Sequence, residues 1–245
     1  MTFEKIGVYI TELTGIVRAS NPSVQHFKMN IETSTTPPPS AGRPKDPAKR
    51  EAILDAAKRL FLQKGYDGSS MDAIAAEAGV SKLTVYSHFT DKETLFAAAV
   101  KSKCEEQLPQ PFFEPSRSTS IKSALLNIGR GFHGLVNSSE SIELHRVMVA
   151  QANANPKLSQ LFMDAGPQRV MREMERLLMQ AAQNGQLQVP DPARAAGHFF
   201  CMIKGKNNFR LLLGCSPDLA DDSEVEAHVQ DVVEVFLRAY RKEPD

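Results

Sequence analysis

Beyond Asp46, apolar residues recur at spacings of three and four through most of the chain, the period of a helix with one buried stripe. Only the segment before Lys28 alternates in a strand-like way, and it has no partner nearby. Ile53, Ala57, Leu60 and Phe61 mark a first helix, with Asp46 as its cap, Pro47 at its first position and Gly65 at its end. Ser69 or Ser70 can cap a second helix reaching Ala78, which Gly79 closes as a left-handed residue. Ser81 can cap a third, from Lys82 to about Phe89. Thr90, with Glu93 three residues on, makes a capping box for a fourth that runs to about Gln107. Leu108-Pro-Gln-Pro-Phe-Phe-Glu-Pro115 breaks the pattern. After it the periodicity predicts helices near 119–137, 140–152, 156–164, 166–184, 191–213 and 221–241. The fold class is all-α, with a helical domain over 47–108 and a larger one over 109–245.

Residues 1–46 differ. Glu32-Thr-Ser-Thr-Thr-Pro-Pro-Pro-Ser40 is too polar and proline-rich to bury a core, so a disordered or extended tail is expected. Met29 directly precedes it, which leaves two readings of residues 1–28: a start-site artefact or a genuine tail. A formal net charge of zero argues against a globally basic nucleic-acid binder but leaves room for a local patch. Cys104, Cys201 and Cys215 form no CxxC pair, so neither a disulfide framework nor structural zinc is expected. No run approaches the roughly 18 apolar residues of a membrane span. Glu12 and several threonines interrupt Ile6–Val17, which argues against a signal peptide. The expectation is a soluble cytoplasmic protein with no membrane partner. No nucleophile–base arrangement, phosphate-binding glycine loop or metal spacing is visible, so neither an enzyme nor a cofactor is expected.

The candidate chemistry lies in Gly79–Phe96. Two short helices joined by Ala78-Gly79-Val80-Ser81 form a helix-turn-helix, a motif that lays its second helix in the major groove. No acidic residue stands between Glu77 and Asp91. Val85 and Phe89, four apart, share the face that docks into the small core, which turns Lys82, Leu83, Tyr86 and Ser87 elsewhere. Lys82 suits guanine O6 and N7 or a phosphate, and Leu83 a thymine methyl. Thr84, Tyr86 and His88 are phosphate donors that fix register. Lys92 in the first turn of the next helix, and Ser70 at the start of the second, are placed for a phosphate as well. Arg43, Lys45, Lys49 and Arg50 form a basic arm ahead of the first helix.

Ala52-Ile-Leu-Asp-Ala-Ala-Lys-Arg-Leu-Phe61, Gly65-Tyr66, Ser70-Met-Asp-Ala-Ile-Ala75, Ala78-Gly-Val-Ser81, Tyr86-Ser-His-Phe89 and Lys92-Glu-Thr-Leu-Phe96 follow one another in order. Together they resemble the TetR/AcrR family of bacterial transcriptional regulators. The resemblance implies a homodimer, with an N-terminal three-helix DNA-binding domain and a C-terminal ligand-binding and dimerisation domain. It implies operator contacts from Thr84, Tyr86, His88 and Lys92, with Lys82, Leu83 and Ser87 at positions that vary with the operator. Leu83 departs from the small residue that many members carry there. A dimer has two recognition helices, so its double-stranded DNA operator should be pseudo-palindromic.

The C-terminal half says less. Met148, Met171, Met174 and Met202, with Phe132, Phe162 and Phe199, suit either an adaptable pocket for a small apolar or amphipathic effector or an ordinary core. His133, His145 and His198 read as interior or rim residues, and nothing near Cys104 lowers its pKa. Two apolar stripes, through Phe199, Met202, Phe209 and Leu213 and through Val225, Val229, Val232, Phe236 and Tyr240, suit burial within the monomer. The family resemblance instead assigns the last two helices to a four-helix dimer interface. The closing pattern from Asp191-Pro192 to Tyr240 is similar to AefR-like C-terminal domains. The expected function is a repressor released from its operator by a small, largely apolar ligand. The alternative is a ligand-independent architectural DNA binder.

Overall fold

The computed structural model describes residues 46–114, 119–215 and 221–242. Arg43, Lys45, the proline-rich linker and the Met29 start-site question lie outside them. Among the described residues there are ten α-helices and no strand: α1 (Pro47–Lys64), α2 (Met71–Glu77), α3 (Lys82–His88), α4 (Lys92–Gln107), α5 (Ile121–Asn137), α6 (Ser139–Gln151), α7 (Pro156–Ala165), α8 (Pro167–Gln183), α9 (Pro192–Leu212) and α10 (Asp222–Ala239). A single 3-10 turn, Gln110–Phe112, occupies the proline-rich break after α4.

The caps follow the sequence chemistry. The Asp46 carboxylate accepts from the Ala48 N–H with Pro47 behind it, and Asp191 accepts from Arg194 ahead of Pro192. At α4 the cap is Asp91, not Thr90: its carboxylate accepts from the Thr94 N–H at 2.7 Å. A carboxylate satisfies this charged helix end better than a hydroxyl, and its pKa is lowered chiefly by that bond.

Two apolar cores result. One joins α5, α8, α9 and α10 around Leu125, Ile128, Met174, Leu178, Phe199, Ile203, Val229 and Phe236. The other holds Ile53, Ala57, Phe61, Ile74, Val85, Phe89, Leu95 and Phe96 of α1–α4 with Met148, Leu158 and Phe162 of α6 and α7. The first four helices therefore do not close their core alone. α4 packs along α1 and also against α5 and α7, and Gly166 at the start of α8 lets Val100 and Cys104 of α4 come close.

α9 is interrupted at Gly205, whose backbone (φ 62°, ψ −179°) leaves the helical region. The interruption frees the Ile203 carbonyl, which lies 3.1 Å from His228 Nε2 on α10. The periodicity of 191–213 gave no sign of this break.

Candidate nucleic-acid interface and effector cavity

α2, the turn Ala78–Ser81 and α3 make the helix-turn-helix. Gly79 at φ 65° reverses the chain, and the Ser81 hydroxyl accepts from the Thr84 N–H at 3.1 Å to start α3. Val85 and Phe89 are buried, which fixes how α3 rolls. The outward face follows: Leu83 is 80% exposed and Tyr86 43%, with Lys82 and Ser87 beside them. Thr84 and His88 sit half-buried on the flank, and the Thr84 hydroxyl lies 2.8 Å from that of Ser81. Ser70 caps α2 by accepting from the Ala73 N–H, which leaves its own O–H to donate. Lys49 is exposed in the first turn of α1. Next to it the Arg50 guanidinium lies 5.3 Å from the centre of the Phe89 ring, so the first turn of α1 meets the end of α3. Its place beside the recognition helix depends on this fold contact, which the linear sequence does not show.

Two expectations need correction. The α3 face is free of carboxylates along the chain but not in space. Lys82 Nζ lies 2.8 Å from a carboxylate oxygen of Asp72 on α2, and that hydrogen bond is the main cause of its raised pKa. A DNA phosphate or base would have to displace Asp72. Lys92 is not a displayed cation. Its ammonium donates to the carbonyl oxygens of Tyr66 (3.0 Å) and Ser69 (3.1 Å) and lies 4.2 Å from the Tyr66 ring centre. With Asp91 already capping α4, that helix start offers a phosphate little; Lys92 instead ties the α1–α2 loop to α4.

In the C-terminal half a cavity of about 360 Å³ opens between α4, α5, α6, α7, α8 and α9. Phe132 and Phe162 line it, joined by Met163, Leu144, Val170, His145 and Lys204. Met148, Met171, Met174, Phe199 and Met202 do not line it. Met174 and Phe199 are buried in the bundle core, Met171 and Met202 pack against it, and Met148 belongs to the core shared with α1–α4. Their helical spacing marks a buried stripe, and spacing alone cannot separate packed core from cavity wall. A second cavity of about 290 Å³ lies between α1, α4 and α6 and shares Val100, Lys103, Ser141 and Leu144 with the first.

His145 has its Nδ1 2.6 Å from the Ser141 carbonyl oxygen, so this nitrogen carries the proton and Nε2 is an acceptor. Burial is the main cause of its lowered pKa, and the charge of Lys204 adds to it. Burial pushes the Cys104 thiol up to about 11, outweighing the charge of Arg169, a neighbour the sequence did not show, which lowers it. His133 is buried, with its pKa lowered by burial and by His228, whereas His198 is exposed and reaches the Tyr240 hydroxyl at 3.2 Å.

The expected dimer stripe is also corrected. Val229, Val232 and Phe236 are buried in the chain's own core and Val225 packs partly against it. Phe209 (66% exposed) and Leu213 (62%), four residues apart at the end of α9, do face outward, as does Val235 on α10. No helix among the described residues is long and apolar enough to cross a membrane.

The architecture is that of an all-helical DNA-binding regulator, and comparison with known proteins gives the family. Residues 53–99 match the bacterial regulatory proteins of the tetR family, and residues 123–242 match the AefR-like transcriptional repressor C-terminal domain. A TetR-family regulator from Mesorhizobium loti MAFF303099 is similar in structure (TM-score 0.65) at 31% identity, over 78% of this chain and 96% of that one. The flavonoid-responsive regulator FrrA is similar (TM-score 0.62), also at 31% identity, over 80% of this chain and 98% of its own. Among curated relatives, the HTH-type transcriptional regulator YdeS of Bacillus subtilis is 40% identical over 70 residues, 29% of this chain and 35% of YdeS. IcaR of Staphylococcus aureus (strain Newman), negative regulator of the biofilm operon icaADBC, is 38% identical over 52 residues, 21% of this chain and 28% of its own. These two matches thus span about a third of the relatives' length. The chain belongs to the TetR family of bacterial transcriptional regulators.

Proposed function

We propose that this regulator is a homodimeric repressor that a small, largely apolar effector releases from its operator. Residues 47–108 form the DNA-binding domain and 109–245 the effector and dimerisation domain. Leu83, Tyr86, Ser87 and Lys82 meet base edges and backbone, with Thr84, His88 and Ser70 on phosphates and Lys49 and Arg50 flanking them. Phe209, Leu213 and Val235 supply the apolar face toward a second copy.

The observation that carries this reading is the course of α4. Its first half, through Leu95, Phe96 and Ala99, is embedded in the core of the helix-turn-helix head, while Val100, Lys103 and Cys104 in its second half line the C-terminal cavity. A ligand that swells or contracts the cavity moves α4, and with it the two recognition helices of a dimer. A coupling free energy of about 1–3 kcal/mol weakens operator binding roughly 5- to 150-fold, provided the ligand prefers one conformation. The family relatives support both halves: IcaR is a negative regulator, and FrrA is flavonoid-responsive. An architectural DNA binder would have a filled core, and the cavity of about 360 Å³ weighs against that alternative.

The test is operator affinity with the cavity open and filled. Leu144→Trp should fill it and shift operator affinity in the absence of any effector. It should also abolish release by any compound that dissociates the wild type. Release unaffected by the substitution would overturn the assignment of the cavity.

A further inference from the structure

We infer that the effector of this cavity is a weak organic acid, an apolar body carrying one ionised oxygen that pairs with Lys204. The inference rests on the reading of the cavity as the effector site and names the chemistry of what enters it.

Three observations converge. The walls are apolar apart from a few groups, and none of the residues lining the cavity is a carboxylate. Two of the lining residues are lysines. Lys103 already has Glu140, at 3.7 Å, whereas Lys204 has no ion-pair partner among the described residues. A half-buried lysine without an ion-pair partner beside an apolar cavity is a preformed anion partner, and a bound cation would meet only like charge. The third observation is His145. Its proton is committed to the Ser141 carbonyl, so Nε2 presents a lone pair. It lies near enough to Lys204 for that charge to act on it. A ligand whose acid group sits on Lys204 can therefore place a neighbouring hydroxyl on His145.

The place of Lys204 in the fold adds a reason for signalling. It immediately precedes Gly205, where α9 is broken, and it lines the smaller cavity on the other side, with His133, His228 and Glu224. An anion that draws Lys204 toward the larger cavity acts on the least regular point of α9, the helix whose end carries Phe209 and Leu213.

The experiment uses the full-length protein and calorimetric titration with matched probes: hexanoic to dodecanoic acid and phenylbutyric acid, their methyl esters, and the corresponding amines. The acids should bind about 10- to 100-fold more tightly than their esters, the range expected for one charge-assisted contact, and the amines most weakly. Lys204→Met should bring the acids down to the level of the esters without weakening the esters. Lys204→Arg should keep the preference. By NMR, binding of an acid should raise the pKa of His145, because the anion offsets Lys204, and binding of an ester should not. Esters binding as well as acids to the wild type, or a preference that survives Lys204→Met, would overturn the inference while leaving the cavity as effector site. If none of the probes binds, or if Leu144→Trp leaves their binding unchanged, the effector site itself is misplaced and the inference falls with it.

Discussion

At the residue scale, what a side chain does depends on which neighbours the fold brings to it, and two lysines show how far that departs from sequence position. Lys82 and Lys92 stand ten residues apart in Gly79–Phe96, yet one is exposed and paired with Asp72, and the other is turned inward on two carbonyls. The two predict different responses. Replacing Lys82 by Met removes the proposed DNA-contacting cation, so the slope of log affinity against log salt should fall by about one unit per recognition helix. Lys92→Met should weaken operator binding by loosening the α1–α2 loop while leaving that slope unchanged. Fluorescence anisotropy over a salt series separates them, and a reduced slope for Lys92→Met would restore it as a phosphate contact. A second contrast is in glycine. A Cβ at Gly131 would run into the backbone carbonyl of Gln107, whereas one at Gly134 would lie 3.5 Å from the end of the flexible Gln107 side chain. Gly131→Ala should therefore lower stability by about 1–3 kcal/mol, and Gly134→Ala should raise it by about 0.5–1 kcal/mol. Thermal or urea denaturation reads the opposite signs.

At the element scale, helix existence was legible because apolar residues recur at helical spacing and most helix starts carry a polar cap; α8, which starts at Gly166 without a side-chain cap, is an exception. Asp46-Pro47, Ser70, Ser81, Ser120, Ser138, Asn155 and Asp191 all cap through their side chains. The α3 faces were legible too, because burying Val85 and Phe89 leaves one arrangement for the rest of a seven-residue helix. What escaped were properties of element pairs. The break in α9 sets the carbonyl of Ile203 against His228 of α10, and the pKa values of histidines already read as interior or rim residues depend on what packs around them. His133 faces His228, with Lys204 and Glu224 lining the same cavity, and His145 lies against Phe162 near Lys204. Both have pKa values lowered first by burial, so the folded chain takes up fewer protons than the unfolded chain as pH drops. Stability should be flat above the ordinary histidine range near pH 6.5 and should decline as pH falls below it, by up to about 1.4 kcal/mol per pH unit for each histidine. Denaturation from pH 7.5 to 5 (a range of roughly two to three units around that pKa) should show the decline, and His133→Gln with His145→Gln should flatten it. An unchanged slope would mean that other groups carry it.

At the scale of the whole molecule, the apolar stripes of the last two helices left two readings open, burial within the monomer or in a dimer interface. A helix of a layered bundle can be buried on the monomer's side or on a partner's side, and periodicity is the same in both. Val229, Val232 and Phe236 went to the monomer, and Phe209 and Leu213 remained outside. Phe209→Ser with Leu213→Ser should thus convert the proposed dimer to a folded monomer with strongly reduced operator affinity, measured by sedimentation together with anisotropy. Val232→Ser should lower the melting temperature first. A double variant that stays dimeric would move the interface elsewhere. The same geometry bears on recognition, since in the proposed dimer two copies of α3 set by one interface would read two half-sites. Selection from a random pool of DNA duplexes by the full-length protein, at fixed salt, puts this to the test. The expected outcome is an enriched inverted repeat, with half-site centres about one helical turn apart or a multiple of it, and no such enrichment by a folded Leu83→Ala, Tyr86→Ala variant. A pool that stays unenriched, or a variant that selects the same repeat as strongly as the wild type, would contradict sequence reading through α3.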